Sequence, residues 1–210
     1  MHAVAACTFF LAAMNRGNKR MKEIANLLFE SKLLNRLPRS GYAFLGAGKE
    51  SVAEHSFSIT FIAWIMAQLD DDVDSLHLVS LCLLHDLPEA RIGDLNYVQR
   101  NYVQADERRA LADATRGLAF GDKMADLVEE FNSGTSPEAR LARDADQLAL
   151  ILDLKEILDN GHLPAGRWID NAVKRLHTPL GKTLAEAILD TERDDWWFDK
   201  AAAKLRADKN

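Results

Sequence analysis

The segment from Ser51 to about Leu69 constrains the fold most, because it joins a clear helix start to apolar residues on nearly every side. Ser51 and Glu54 form a capping-box sequence, in which each side chain can bond the backbone N–H of the other. A helix that is apolar all round is typical of a buried, central position. We therefore expect this helix at the centre of the molecule, with Trp64 inside the core.

The rest of the chain also predicts helices, with little of the alternation typical of strands. Further helices are predicted at residues 21–37, 75–87, 102–120, 122–131, 137–160, 164–177 and 179–193, and a loop with exposed Arg39 and Lys49 at 38–50. Apolar spacings of three and four residues favour an all-α fold. A length of 210 residues suits one core. We predict a single-domain helical bundle of about eight to ten helices.

The predicted domain covers residues 22–195, between an N-terminal extension of unassigned role at 1–21 and a C-terminal tail at 196–210 that is predicted to be helical. The apolar run at 3–14 is too short to span a bilayer. Basic residues follow this run rather than precede it, which is opposite to the order in a secretory signal. We therefore expect no membrane partner.

Charge and cysteine content exclude further classes of protein. The chain has 26 basic and 32 acidic residues, a formal net charge of −6. An acidic chain is a poor partner for a nucleic acid polymer, although a small anionic ligand remains possible where positive groups are local. The two cysteines, Cys7 and Cys82, do not make a disulfide framework, and they favour a reducing, cytoplasmic location.

Ionisable residues inside apolar helices are the main functional signal. His55 shares a helix face with Ile59 and Ile62, and the pair His85-Asp86 ends a strongly apolar helix. Asp146 lies too far inside its helix to be an N-cap. A buried carboxylate is costly unless it is paired or bound to a metal.

Two imidazoles and two carboxylates on three central helices match a nitrogen and oxygen site for a divalent transition metal. Each residue also has a simpler interpretation, since buried histidines are usually hydrogen-bonded and Asp86 could cap the following turn. Asp144, two residues before Asp146, faces elsewhere and is interpreted as a solvated or pairing residue.

Several motifs occur in one order along the chain. They are Asn-Arg-Leu-Pro-Arg-Ser-Gly-Tyr at 35–42, Glu-Ser-Val-Ala-Glu-His at 50–55, His-Asp-Leu-Pro-Glu at 85–89, Ile-Gly-Asp at 92–94, Ser-Pro-Glu-Ala-Arg at 136–140 and Asp-Ala-Asp-Gln at 144–147. This order resembles the HD-domain metal-dependent phosphohydrolases, and within them the 5′-deoxynucleotidase branch. The resemblance covers roughly residues 22–193.

The resemblance implies both a reaction and a set of site residues. It implies metal ligands at His55, His85, Asp86 and Asp146, an acid or base at Glu89, a second active-site carboxylate at Asp94 and a phosphate-binding Arg36. The implied reaction releases phosphate from deoxyribo- or ribonucleoside 5′-monophosphates. It uses one divalent transition metal per chain (Co, Mn, Fe, Ni or Zn rather than Mg). A homodimer is also implied.

Two features of the sequence bear on the alternatives. One bacterial branch has Trp directly after the arginine, whereas this chain has Leu37, so selectivity for deoxyribose is left open. Residues 87–145 contain no histidine, which favours a mononuclear hydrolase over dinuclear HD enzymes. An HD hydrolase of a cyclic nucleotide, an alarmone or another phosphorylated metabolite is the second hypothesis, and a non-enzymatic dimer is the third.

Overall fold

The structure, a computed structural model, describes residues 18–198, and all their regular secondary structure is helical. Ten α-helices lie between residues 18 and 190, and residues 195–198, at the start of the predicted C-terminal helix, are also helical. They are α1 (18–31), α2 (Tyr42–Leu45), α3 (Val52–Ala67), α4 (Ser75–Leu84), α5 (Glu89–Ile92), α6 (Glu107–Ala114), α7 (Gly121–Ser133), α8 (Pro137–Asp159), α9 (Pro164–Val173) and α10 (Pro179–Asp190). Two 3₁₀ helices occupy Lys32–Arg36 and Gln99–Asn101. The predicted all-α fold is confirmed.

Helices α3, α4 and α8 form the centre of the molecule. Ala63 on α3 and Ala142 and Ala145 on α8 are fully buried, and their small side chains let these helices approach closely. Ile59 and Leu148 fill the space between them. The central position predicted for α3 is therefore correct.

One face of α3 is nevertheless exposed, contrary to the prediction that this helix is buried all round. The side chains of Phe57, Phe61 and Trp64 are 71%, 55% and 52% exposed. Their spacing of four and three residues places them on one face, where the rings stack with centroids 6.2 and 6.4 Å apart. The prediction that Trp64 lies in the core is wrong, because α3 has more apolar residues than its core-facing side can cover.

Several predicted helices end earlier than the sequence indicated. α4 ends at Leu84, so His85 and Asp86 lie in a turn between α4 and α5. Within the predicted helix at 102–120, only Glu107–Ala114 is helical, and the Asp106 side chain caps it. No helix within residues 18–198 has both the length and the hydropathy to cross a membrane. The apolar run at 3–14 lies outside the described residues.

The predicted loop at 38–50 is tied together at its two ends. The backbone N–H of Arg39 donates to the carbonyl of Glu50 at 2.9 Å, and that of Val52 donates to Leu37 at 2.9 Å. An antiparallel bridge joins Pro38 to Ser51. These bonds place Arg39 and Glu50 side by side at the start of α3, where Ser51 and Glu54 form the predicted capping box.

Asp144 is a buried anchor for the connection between α9 and α10. It is 0% exposed and accepts hydrogen bonds from the backbone N–H groups of His177 (2.8 Å) and Thr178 (2.7 Å) and from the Thr178 hydroxyl (2.7 Å). Of the two interpretations of Asp144, solvated or pairing, the solvated one is therefore wrong and the pairing one agrees with these hydrogen bonds. The partners lie more than thirty positions away along the chain, beyond the reach of a local sequence pattern.

We predict that Asp144→Ala lowers the free energy of unfolding by about 3 kcal/mol or more, because it leaves buried N–H groups without an acceptor. Urea denaturation measures this change. Asp126→Ala, at an exposed position on α7, is the matched control and should shift stability by less than about 0.5 kcal/mol. Equal stabilities of the two variants would contradict the anchoring role.

Candidate active site

A cavity of about 600 Å³ opens beside the turn between α4 and α5 and the middle of α8. Its walls contain most of the residues that the sequence singled out. The ionisable groups that line it include Arg39, His85, Asp86, Glu89, Asp94 and Asp146. His55 lies behind this lining and is 1% exposed. The fold thus collects residues from three separate parts of the chain around one space.

The four predicted metal ligands lie close together. One ligand atom from each of His55, His85 and Asp86 falls within a group whose members are all within 4.8 Å of one another. Asp146 is not a member of this group, but its Oδ1 atom lies 2.9 Å from Nε2 of His55, which is a member. The side chains come from α3, from the turn after α4 and from α8. Their donor set, two imidazole nitrogens and two carboxylate groups, suits a divalent transition metal.

The hydrogen bonding of His85 supports a cation at this position. Nδ1 of His85 donates to the carbonyl of Cys82 at 2.8 Å, so Nδ1 carries a proton. Nε2 then faces Asp86 Oδ2 at 2.9 Å. A lone pair and a carboxylate at this distance repel each other unless a proton or a metal ion lies between them. A backbone carbonyl that orients a ligating histidine in this way is typical of metal sites.

The surrounding charges keep the ligand carboxylates ionised. Burial opposes ionisation of Asp146, but its hydrogen bond to His55 and the charges of His55 and Arg39 hold its pKa well below the usual range. Burial likewise opposes ionisation of Asp86, but the charge and hydrogen bond of His85 lower its pKa. Both carboxylates are therefore available to a metal at neutral pH.

Glu89 is in the opposite protonation state. Burial, followed by the charges of Asp86 and Asp94, raises the pKa of the Glu89 carboxyl to about 9. The residue is 7% exposed and lines the cavity. Two carboxylic groups with pKa values displaced in opposite directions are typical of sites that combine a metal or anion with a general acid.

Asp94 supports the wall of the cavity from the loop after α5. Its carboxylate accepts a hydrogen bond from the backbone N–H of Ser40, the residue next to Arg39. Asp94 therefore both lines the cavity and fixes the loop that carries Arg39. Sequence reasoning identified the residue but not this contact.

Arg39 lines the cavity, a position that sequence reasoning missed. It was predicted to be exposed, yet its side chain is only 20% exposed and its Nη1 lies 3.5 Å from Asp86 Oδ2. Burial alone would lower the pKa of Arg39, but the charges of Asp86 and Asp146 raise it. Arg36, which the resemblance assigned to phosphate, is exposed on its 3₁₀ helix and does not line the cavity. The two arginines lie three residues apart in one motif, from which the resemblance assigned a role to Arg36 alone.

Four buried side-chain atoms in the described residues have no hydrogen-bond partner, and all belong to this region. They are Ser40 Oγ, His55 Nδ1, Glu89 Oε2 and Gln147 Oε1. A buried polar atom without a partner is costly, and such atoms concentrate where a protein binds something. Their location is consistent with a polar ligand in the cavity.

The protein-family model of the HD domain matches residues 32–188 of this chain. The chain belongs to the HD-domain family. Among curated proteins, this HD domain is similar to the 5′-deoxynucleotidase HDDC2 of Mus musculus, at 29% identity over 77% of this chain and 83% of the relative. It is also similar to that of Homo sapiens, at 28% identity over 76% and 81%.

Solved structures agree with this assignment. A conserved hypothetical protein from Pyrococcus furiosus superposes on this HD domain with a TM-score of 0.66 and 27% identity, over 78% of this chain and 96% of its own. The family match and the curated relatives identify the chain as a metal-dependent phosphohydrolase, and His55, His85 and Asp86 form a group that could hold a divalent metal.

We predict that Glu89→Gln stabilises the metal-free protein at pH 8. Between about pH 4.5 and 9 the folded chain keeps a proton on Glu89 that the unfolded chain releases, so wild-type stability falls as pH rises through this range. The variant lacks this loss. Its melting temperature should exceed that of wild type by about 3 °C or more at pH 8, since 1 kcal/mol corresponds to about 2–4 °C.

Thermal unfolding at pH 5 supplies the control, because the two proteins should then melt at nearly the same temperature. A lower melting temperature for Glu89→Gln at pH 8 would contradict a protonated Glu89.

Proposed function

We propose that this protein releases inorganic phosphate from deoxyribo- or ribonucleoside 5′-monophosphates. The observation that carries the proposal is one cavity whose lining combines Glu89, a buried carboxyl whose pKa is raised, with the predicted ligands Asp86 and Asp146 and with Arg39. Hydrolysis of a phosphomonoester needs charge neutralisation, a nucleophilic water and a proton for the leaving oxygen. Relatives named 5′-deoxynucleotidases, which match most of this chain, support the nucleotide substrate.

The metal site in this proposal consists of His55, His85, Asp86 and Asp146, with one divalent transition metal per chain. Co, Mn, Fe, Ni and Zn suit the two imidazoles better than Mg, which prefers oxygen ligands. When bound, such an ion polarises a phosphoryl oxygen and lowers the pKa of a water. Asp86 and Asp146 balance its charge.

Arg39 is the proposed phosphate ligand from the protein. In the structure its guanidinium faces Asp86. A cation held by Asp86 would weaken this ion pair and leave the planar donor groups of Arg39 for the phosphate oxygens, a geometry that suits bidentate binding. Asp94, through Ser40, holds the backbone from which Arg39 extends. The phosphate role that the resemblance gives to Arg36 remains a separate prediction.

Glu89 is the proposed general acid. Its raised pKa keeps a proton on the carboxyl at neutral pH, and the residue lines the same cavity as the metal ligands. Protonation of the departing 5′ oxygen would turn a poor leaving group into a neutral alcohol. General acid catalysis of this kind contributes about 10²- to 10⁴-fold to a rate.

A second cavity adjoins the one described above, and its lining is basic. This charge allows an acidic chain to attract an anionic substrate here. The lining includes Arg100, Arg143, Lys174 and Arg175. Within residues 18–198, none of these four side chains forms an ion pair with a carboxylate within 4.0 Å. The only carboxylate in the same lining is Asp146. Concentrated, unneutralised positive charge of this kind raises the association rate of anions.

We predict metal-dependent phosphate release from a panel of 5′-monophosphates, measured with Co²⁺ or Mn²⁺ and after chelation. Arg39→Gln should lower kcat/KM by about 100-fold, because it removes a charged donor to the transferred phosphate. Arg116→Gln is the control, since this arginine pairs with Asp113 on the surface. Arg36→Gln tests the role implied by the resemblance.

Other outcomes of this panel separate the alternatives. Release from a cyclic nucleotide or an alarmone, with none from any monophosphate, would favour a different HD phosphohydrolase. A loss in Arg36→Gln with full activity in Arg39→Gln would move the phosphate site to Arg36. No metal-dependent turnover on any phosphate ester would contradict an enzymatic function. The cytoplasmic location remains a prediction from cysteine content.

We also propose a homodimer that buries the exposed aromatic face of α3, formed by Phe57, Phe61 and Trp64. The three stacked rings form one continuous apolar surface. Such a patch is typical of an interface, whereas single exposed apolar residues are common on any protein. A second copy would present the same rings in the self-complementary way that two-fold symmetry requires.

We predict that Phe61→Glu converts the dimer to a monomer in sedimentation experiments at micromolar concentration. Leu163→Glu, at an exposed leucine outside this face, should remain dimeric. A monomeric wild-type protein would contradict the proposal.

A further inference from the structure

One ring nitrogen of the ligand His55 has no assigned partner. Its Nε2 faces Asp146, while its Nδ1 is buried and makes no hydrogen bond to any described residue. Because a neutral histidine binds a metal through one nitrogen only, the proton must sit on the other. The direction in which this ring presents its lone pair therefore depends on what Nδ1 faces.

Nδ1 of His55 faces the carboxylate of Glu50. Oε2 of Glu50 lies 3.7 Å from Nδ1, just beyond hydrogen-bond distance, and the Glu50 side chain is only 12% exposed. An ionised carboxylate accepts hydrogen bonds and donates none. Nδ1–H can therefore donate a hydrogen bond to Glu50. A small decrease in the distance between Nδ1 and Oε2 would form this bond.

The Tyr42 hydroxyl lies between Glu50 and a second carboxylate, that of Asp153. The Tyr42 hydroxyl donates to Asp153 and also lies 3.4 Å from Oε2 of Glu50. A hydroxyl carries only one proton, and the contact with Asp153 is the closer of the two. Glu50 is consequently left in need of a donor, and Nδ1 of His55 is the nearest candidate. Asp153 lies on α8, two turns beyond Asp146.

The loop before α3 is built to present Glu50 at this position. Gly48 has a φ of +88°, and a Cβ there would lie 2.6 Å from the Tyr42 ring and 2.7 Å from Ile157. Only glycine lets the loop pack this closely on Tyr42. Two residues further on, the carbonyl of Glu50 accepts a hydrogen bond from the N–H of Arg39 at 2.9 Å, which fixes its backbone.

We propose that Glu50 is the positioning residue of His55. Its carboxylate accepts a hydrogen bond from Nδ1–H, so that the ring presents the lone pair of Nε2 to the metal site, while the Tyr42 hydroxyl lies 3.4 Å from Oε2 of the same carboxylate. This inference rests on the proposed function only through the metal site. A carboxylate behind a ligating histidine raises the basicity of the ligand and sets its tautomer, and its loss costs about 10- to 100-fold in metal affinity.

Metal affinity tests the proposal without reference to turnover. The Kd for Co²⁺, measured by chelator competition, should rise about 10- to 100-fold in Glu50→Leu and by a smaller factor in Glu50→Gln, whose amide oxygen can still accept from Nδ1. Tyr42→Phe should weaken binding in the same direction by less. Glu186→Gln, at an exposed position on α10, is the control and should match wild type.

A second measurement reads the tautomer directly. ¹⁵N NMR of the Zn²⁺-loaded wild-type protein should show His55 protonated at Nδ1. Protonation at Nε2, or an unchanged Co²⁺ Kd in the Glu50 variants together with a lower melting temperature of the metal-free protein, would overturn the proposal and leave Glu50 as a brace of the loop. A wild-type protein that binds neither ion would overturn this inference and the proposed metal site together. Tight metal binding without hydrolysis of any monophosphate would contradict the proposed function alone.

Discussion

The structure depends on how a helical core tolerates a group of buried carboxylates. Asp86, Asp146 and Glu89 lie within one cavity wall, where ionisation of all three would leave uncompensated negative charge in a medium of low polarity. Three features of the site reduce or balance this negative charge. His55 and His85 sit against the two aspartates, Arg39 supplies a fixed positive charge, and Glu89 keeps its proton. A divalent ion bound by these side chains would complete this balance.

The fold serves this balance by bringing distant segments together on rigid elements. Buried alanines let α3 and α8 approach closely, which places His55 opposite Asp146. The end of α4 adds His85 and Asp86, and the hydrogen bond from His85 to Cys82 fixes one imidazole. Side chains supported by helices in this way are held more firmly than side chains on loops. The loop residues at the site, Arg39 and Glu50, are instead fixed by their backbone bond to each other.

Local patterns in the sequence predicted the features that depend on local physics. The capping box at Ser51, the all-α class and the helical placement of His55 and Asp146 follow from spacing along the chain. The failures have one cause, since Trp64, Asp144 and Arg39 each depend on residues distant in sequence. The apolar period of α3 could not tell which face meets the core. No pattern near Asp144 indicates His177 and Thr178, and an arginine in a loop is interpreted as solvated until the carboxylates that surround it are known.

The bridge between Pro38 and Ser51 separates the fixed ends of the loop, which carry Arg39 and Glu50, from its tip. Because the bridge fixes both ends, changes of sequence or length at its tip, residues 43–47, need not disturb the backbone at Arg39 or Glu50. Phe44, in this tip, is exposed and lines the large cavity. Homologous chains could therefore diverge at this edge and accept differently shaped substrates while retaining the same chemistry.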